Sequence, residues 1–415
     1  MTRFEIERNP SMSNARDRAT PSRRRILHQA AAVATLALLP ISPVAAKAKV
    51  KACPVATCSG QLVYIGTQSN EPGQGIFAAR LDSNTGKLTP LGLAMEAQRP
   101  TWLTPHPALP VLYAVSEVGN DGKSHGSVST LRADPLTGLL SLIGTVDSGG
   151  GGPTHLSLDL SSKTLLVANY GAGQVAALPV LANGALGPPA SVQTDQGSGP
   201  SPRQKTAHAH GVTLDPSRRF ALVADLGADR IFIYPYDRKA RRLSPSASPA
   251  EALPPGTGPR HLTFHPRGRF LFVLSELIPE LRSYRWDARH GRLTLVQTVS
   301  TSADPAKARG AEVAVSRDGR FVYVSVRGED ALVVYAANPN TGGLAEIQRV
   351  AANGLSPWSF SIDPSGRWML VANQGSNTVV VFARDPATGR LSLTRESLSV
   401  NKPVSVAYLA AGPAR

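Results

Sequence analysis

The stretch Leu262-Thr-Phe-His-Pro-Arg-Gly-Arg-Phe-Leu-Phe-Val273 sets a run of β-formers on either side of a Pro-Arg-Gly turn, the pattern of two antiparallel strands joined tightly. The same unit recurs as Phe360-Ser-Ile-Asp-Pro-Ser-Gly-Arg-Trp-Met-Leu-Val371 and Val212-Thr-Leu-Asp-Pro-Ser-Arg-Arg-Phe-Ala-Leu-Val223. Weaker copies run from Val313 to Val324, Leu156 to Val167 and Leu103 to Ala114. The residues before the turn (His106, Asp159, Asp215, His265, Ser316 and Asp363) stand 47 to 56 residues apart. A period near 50 is that of propeller blades.

Each unit continues into a third strand, such as Thr378-Val-Val-Val-Phe382, and a fourth after an Asp-x-x-Thr-Gly turn, as at Asp385-Pro-Ala-Thr-Gly389. Four strands make one blade. The chain then starts on a second strand, Leu62-Val-Tyr-Ile65, and finishes on an inner one, Val404-Ser-Val-Ala-Tyr408. Joined, the two ends complete a seventh blade. The expected fold is all-β: a seven-bladed β-propeller of four-stranded antiparallel blades, closed by pairing of the N- and C-terminal strands. An open solenoid would not need complementary ends, and closure removes the exposed sheet edges that promote aggregation.

With 415 residues, 42% hydrophobic and 18% charged, the chain can bury a large core. Gly 37 and Pro 34 suit many tight turns. The net charge of +15 is scattered over turns such as Arg218-Arg219 and Arg241-Arg242, with no continuous basic stripe, so no nucleic-acid partner is expected. Residues 1–48 read as an N-terminal extension and a twin-arginine signal peptide. Ser22-Arg23-Arg24-Arg25 precedes the apolar run Ala30–Leu39, and small residues end in Val44-Ala45-Ala46 or Ala46-Lys47-Ala48. The run is too short for a permanent span. The precursor therefore implies the twin-arginine export machinery, a periplasmic or secreted mature form and no membrane association. Residues 49–60 form a linker holding Cys53 and Cys58, which an oxidising compartment would permit to pair. Residues 61–411 form the propeller domain.

Function should lie where residues break the repeat's rule. The inner strands open with Pro153-Thr154-His155, His208-Ala209-His210, Pro259-Arg260-His261 and Gly310-Ala311-Glu312. An antiparallel hairpin brings the end of the second strand to the same level, adding Glu117, Asn169, Asp225, Glu276, Arg327, Asn373 and Gln374. Ionisable groups gathered at one channel mouth mark a functional site. His208 and His210 supply two metal ligands without a third at fixed spacing, so neither metal nor cofactor is expected. No Walker loop and no Gly-x-Ser-x-Gly elbow occurs.

In Pro153-Thr154-His155, Ala207–His210, Gly258–His261 with Phe264-His265-Pro266, Ser275-Glu276-Leu277 and Arg309–Glu312, the chain resembles the lactonase seven-bladed propeller family, from Leu62 to Leu409. That family includes propeller-type 6-phosphogluconolactonases and is similar to carboxy-cis,cis-muconate cyclase. The resemblance implies a small-molecule lactone substrate and catalytic roles for His210, Arg260, Glu276 and Arg309, with Arg327 competing for the last. Either Glu276 or His210 would act as general base, and the arginines would bind the anion and the oxyanion. His155, His208, His261, Glu312, Arg327, Asn169, Asp225 and Gln374 would bind substrate. An export signal fits a phosphorylated sugar lactone poorly. A lactonising cyclase or a non-catalytic exported propeller that binds a ligand or protein remains the alternative.

Overall fold

A computed structural model describes residues 60–245 and 250–409. The proposed signal and the Cys53/Cys58 linker lie outside the described residues. Within them every regular element is a strand, and the strands form seven sheets. Six blades run in chain order, with inner strands Leu103–Pro105, Pro153–Asp159, Ala209–Leu214, Pro259–Phe264, Arg309–Val315 and Pro357–Ile362 as blades one to six. The seventh pairs Pro403–Tyr408 with Gln61–Thr67, matching Val63 to Tyr408, Tyr64 to Ala407 and Ile65 to Val406. The ring closes as the incomplete ends require.

The repeat's turn residue earns its place locally. Asp215 Oδ1 accepts the backbone N–H groups of Arg219 and Phe220 at 2.8 and 2.9 Å. Asp363 Oδ1 does the same for Arg367 and Trp368 at 2.9 and 2.8 Å. These acceptors satisfy donors that the turn leaves without ladder partners. The Asp-x-x-Thr-Gly turns work likewise: Asp134 Oδ1 accepts from Leu136 and Thr137.

Second and third strands are apolar on both faces, as in Phe270–Ser275, which is buried throughout. Each blade is thus sandwiched between two others. The core is accordingly divided into seven apolar clusters, each shared by adjacent blades; Phe270, Phe272 and Leu274 of blade four, for example, pack on Val322, Val324 and Val326 of blade five. Blade three departs from the pattern: its outer edge is split between Arg242–Leu243 and Glu251–Ala252, both paired with Arg230–Asp237.

Candidate active site

The inner strands are irregular at one matched level. In blade three, Ala209 pairs with Asp225 and Gly211 with Ala224, leaving His210 as an extra residue. Blade four leaves Arg260 between Pro259 and His261, blade six leaves Trp358, and blade two leaves Thr154. A β-bulge re-aims the unpaired side chain, and all four of these residues line one cavity of 280 Å³ at the mouth of the channel. The bulge also brings backbones close: a Cβ on Gly211 would come within 2.6 Å of the Arg260 carbonyl oxygen. That position takes glycine because no side chain fits between blades three and four.

Glu276, the residue after the second strand of blade four, is the centre of the cavity's charge. Its Oε2 accepts from Arg260 Nε at 3.1 Å and forms an ion pair with Arg327 Nη2 at 3.1 Å, and its Oε1 accepts from Arg203 Nη1. Burial would raise the carboxyl's pKa, but Arg327, Arg260 and Arg203 overcome it and hold the group at about 2. Arg260 is shifted the other way, down to about 10, by burial and by Arg327; it stays a cation at neutral pH. Four lining arginines (Arg99, Arg203, Arg260, Arg327) face two lining carboxylates (Glu117, Glu276), which leaves a surplus of two positive charges.

Beneath and beside this cluster lies an aromatic layer. The His261 ring stands 5.0 Å from that of His155 and 5.2 Å from that of His210, and Trp102 contacts both His155 and His261. Burial lowers the pKa of all three histidines well below the ordinary value, and Arg260 lowers each further. They are neutral imidazoles. His155 Nδ1 accepts the Val212 N–H at 3.3 Å. His210 Nε2 is 3.8 Å from Glu276 Oε2, too long for a hydrogen bond.

Of the residues singled out in the sequence, the structure brings His210, Arg260, His261, Glu276 and Arg327 together in the cavity lining. Glu117 and Thr154 join them, and the other candidate residues lie elsewhere. Arg309 turns back to the carbonyls of Ala306 and Ala308, at 3.4 and 2.6 Å. Its cross-strand partner Arg327 instead reaches Glu276, with its guanidinium carbon 4.3 Å from the Trp358 ring centre. Glu312 lies below the histidines: Oε1 pairs with His261 Nδ1 at 3.0 Å, and the side chain borders a separate lower cavity of 440 Å³. Asn169 and Asp225 are fully buried and serve the backbone, Asn169 donating to the Ser148 carbonyl at 3.0 Å and Asp225 accepting from His208 N and Ala228 N at 2.8 and 2.7 Å. His208 stacks on Tyr170, ring centres 4.4 Å apart. Gln374 donates to Gln68 at 3.1 Å from the rim. His155 belongs to the histidine layer and is absent from the cavity lining.

Sequence reasoning passed over Gln68, Arg99, Asn120, Tyr170 and Arg203, which also line the cavity. Tyr170 sits one position beyond the strand-end residue Asn169, where the strand-end rule stops. Arg203 comes from the long segment between Thr194 and Ala209, outside the repeat.

A closed propeller with a cationic, partly buried cavity at one mouth of its channel can hold a small anionic molecule. The family model described as Lactonase, 7-bladed beta-propeller, matches residues 62–408, and the chain belongs to that family; its enzyme class is that of a lactonase. A 6-phosphogluconolactonase of Bacillus subtilis (strain 168) is 33% identical over 348 residues, covering 83% of this chain and 97% of the relative. A 6-phosphogluconolactonase of Formosa agariphila is 31% identical, covering 73% and 86%. The solved structure of the Pseudomonas aeruginosa periplasmic gluconolactonase superposes with a TM-score of 0.79 at 35% identity, covering 85% of this chain and 99% of that one.

Proposed function

We propose that the chain hydrolyses a sugar-type lactone, an aldonolactone or its phosphorylated form, in the cavity around Glu276. The surplus of positive charge carries this reading, with Arg260 and Arg327 buried against Glu276 and Arg203 joining them from the exposed rim. A buried site keeps uncompensated cations only where a ligand or transition state supplies the counter-charge. The relatives named 6-phosphogluconolactonase and periplasmic gluconolactonase support the substrate class. The latter also supports the export to the periplasm read from the twin-arginine segment.

His210 is the general base. Burial and Arg260 lower the basicity of His210 as well, but Glu276 is engaged by three guanidinium groups while the His210 ring has Nδ1 without a partner, so the imidazole is the group free to take up a proton. The neutral imidazole takes a proton from water as the water oxygen bonds to the lactone carbonyl carbon. Arg260 and Arg327 stabilise the resulting oxyanion. Collapse breaks the ring C–O bond, and the departing oxygen recovers the proton from the imidazolium, giving the hydroxy acid. Glu276 holds the guanidinium groups in place. The reaction proceeds without a metal, because the buried carboxylate in the cavity is committed to arginine.

The test is lactone hydrolysis by the purified mature chain with glucono-δ-lactone and its 6-phosphate, with and without chelator. Chelator-insensitive turnover is expected, with His210→Asn losing about 100- to 10,000-fold in kcat. Turnover no faster than the spontaneous rate on both lactones would overturn the substrate class, and loss of activity with chelator would overturn metal independence.

A further inference from the structure

Arg203 reaches Glu276 from the loop of residues 196–207, which leaves blade two after Thr194 and enters blade three at Ala209. The loop's two ends meet at a pair of buried acids. Asp195, at its start, is 3% exposed and Asp225, the last residue of the second strand of blade three, is fully buried. Their side chains are in hydrogen-bonding contact. Each outer oxygen already has donors: Asp195 Oδ1 accepts from the Tyr234 hydroxyl, and Asp225 Oδ1 accepts from His208 N at 2.8 Å and Ala228 N at 2.7 Å. The two Oδ2 atoms are left buried with no donor between them.

Two carboxylates cannot both be charged in such contact without a donor or a cation. The surroundings supply little compensation. Tyr234 approaches from the Arg230–Asp237 strand, and His208, whose ring is engaged by the Tyr170 carbonyl at 2.8 Å, approaches from the loop's far end. Arg230 is the cross-strand partner of Asp225, yet it is exposed and makes no bond to it. Asp121, His125 and Gln174 border the cavity outside Asp195, and nearby Asp229 is taken by Gln204, Gly256 N and Gly258 N. Among the described residues no lysine or arginine bonds to either acid.

We propose that Asp195 and Asp225 share one proton, and that this carboxyl–carboxylate hydrogen bond staples the two ends of the 196–207 loop and so positions Arg203 at the cavity. The two Oδ2 atoms, which have no other donor, are the ones available to share it. Asp225 passes the constraint to the far end of the loop through His208 N, while Gln204 anchors the middle, donating to Leu226 O at 2.8 Å and Asp229 Oδ1 at 2.6 Å. Both acids have pKa values raised by burial, that of Asp195 also by its neighbour. The shared proton is therefore retained at pH values where an exposed carboxyl has lost it. It is released on the alkaline side, where repulsion parts the loop ends. Asp195 and Asp225 are positioning residues, and the catalytic consequence rests on the lactonase reading.

Asp195→Asn carries a permanent N–H donor toward Asp225 Oδ2 while its amide oxygen still accepts from Tyr234. Amide hydrogen exchange of the 196–208 segment, compared between wild type and Asp195→Asn at the same pH, reads the staple without any substrate. Equal protection is expected at pH 5.5, with wild type at least about tenfold less protected than the variant at pH 9. The reciprocal Asp225→Asn should behave as Asp195→Asn does, which covers failure of one variant to fold. In parallel, KM for the lactone should rise with pH in wild type and stay flat in Asp195→Asn. Loop protection identical in wild type and both variants at both pH values would overturn the proposal. So would protection of wild type at pH 9 that appears only on adding calcium or potassium, since a cation would then hold the pair. A pH-dependent loop in a chain that hydrolyses no lactone would sustain the staple and sink only the lactonase reading.

Discussion

Nε of Arg260 lies 3.1 Å from Oε2 of Glu276, and both side chains are at least 96% buried. One comes from a bulge in an inner strand and the other from the turn after its neighbour. Glu276 N donates to Gly258 O at 2.7 Å, so the backbone already brings the start of one strand and the end of the next together before the charges meet.

Removing Glu276 leaves the buried charges of Arg260 and Arg327 without their partner, which costs about 3–5 kcal/mol. Glu276→Ala strands Arg260 and Arg327 and should lower the urea midpoint more than Arg260→Ala, because Glu276 retains Arg327 and Arg203 when Arg260 is gone. Arg260→Ala should instead be the worse enzyme per folded molecule, losing about 100- to 1,000-fold in kcat/KM through the oxyanion. Urea denaturation beside steady-state kinetics separates the two; a Glu276→Ala protein as stable as wild type would contradict the charge balance.

Arg327 and Arg309 are opposite each other across one strand pair, yet only Arg327 reaches the cavity. Arg327→Ala should cut kcat/KM at least about tenfold, the loss of a charge-assisted contact, while Arg309→Ala stays within about twofold. Equal losses in the two variants would show that Arg309 swings into the site when substrate arrives.

Glu312 offers a readout of pH. Burial raises its pKa to about 7, against the opposing pull of Arg260, His155 and the Val313 N–H. In the unfolded chain the group ionises near pH 4.3, so the folded protein binds the extra proton between the two values. Its contribution to stability is complete below pH 4.3 and is lost as pH rises through 7. Melting temperature followed from pH 4.5 to 8 should fall less steeply in Glu312→Gln than in wild type. Parallel curves would place the carboxyl's ionisation elsewhere. The variant also disturbs the 3.0 Å contact with His261 Nδ1.

Part of the site was legible because its residues violate a strict pattern. His210, Arg260 and Glu276 stand where the repeat predicts apolar or small residues, and polar side chains at a channel mouth require a partner or a task. The same rule pointed to Asn169 and Asp225, which satisfy backbone groups instead. Level within a blade was predictable from the antiparallel hairpin; direction was not. The bulges that turn His210, Arg260, Trp358 and Thr154 inward depend on register with the neighbouring strand. Arg203 lay beyond reach for another reason, since no periodicity constrains a loop and its contact with Glu276 spans 73 positions.

The amino-acid sequence by itself determined the seven blades and their closure. Turn acceptors such as Asp215 and Asp363, the apolar second and third strands, and the complementary incomplete ends are local properties repeated about every 50 residues. Only the tertiary structure decided which arginine meets Glu276, that Glu312 serves His261 from below, and that Asp195 meets Asp225. Those contacts join different blades or strands through bulges and loops, and their geometry is set by packing across blade interfaces, which strand periodicity does not encode.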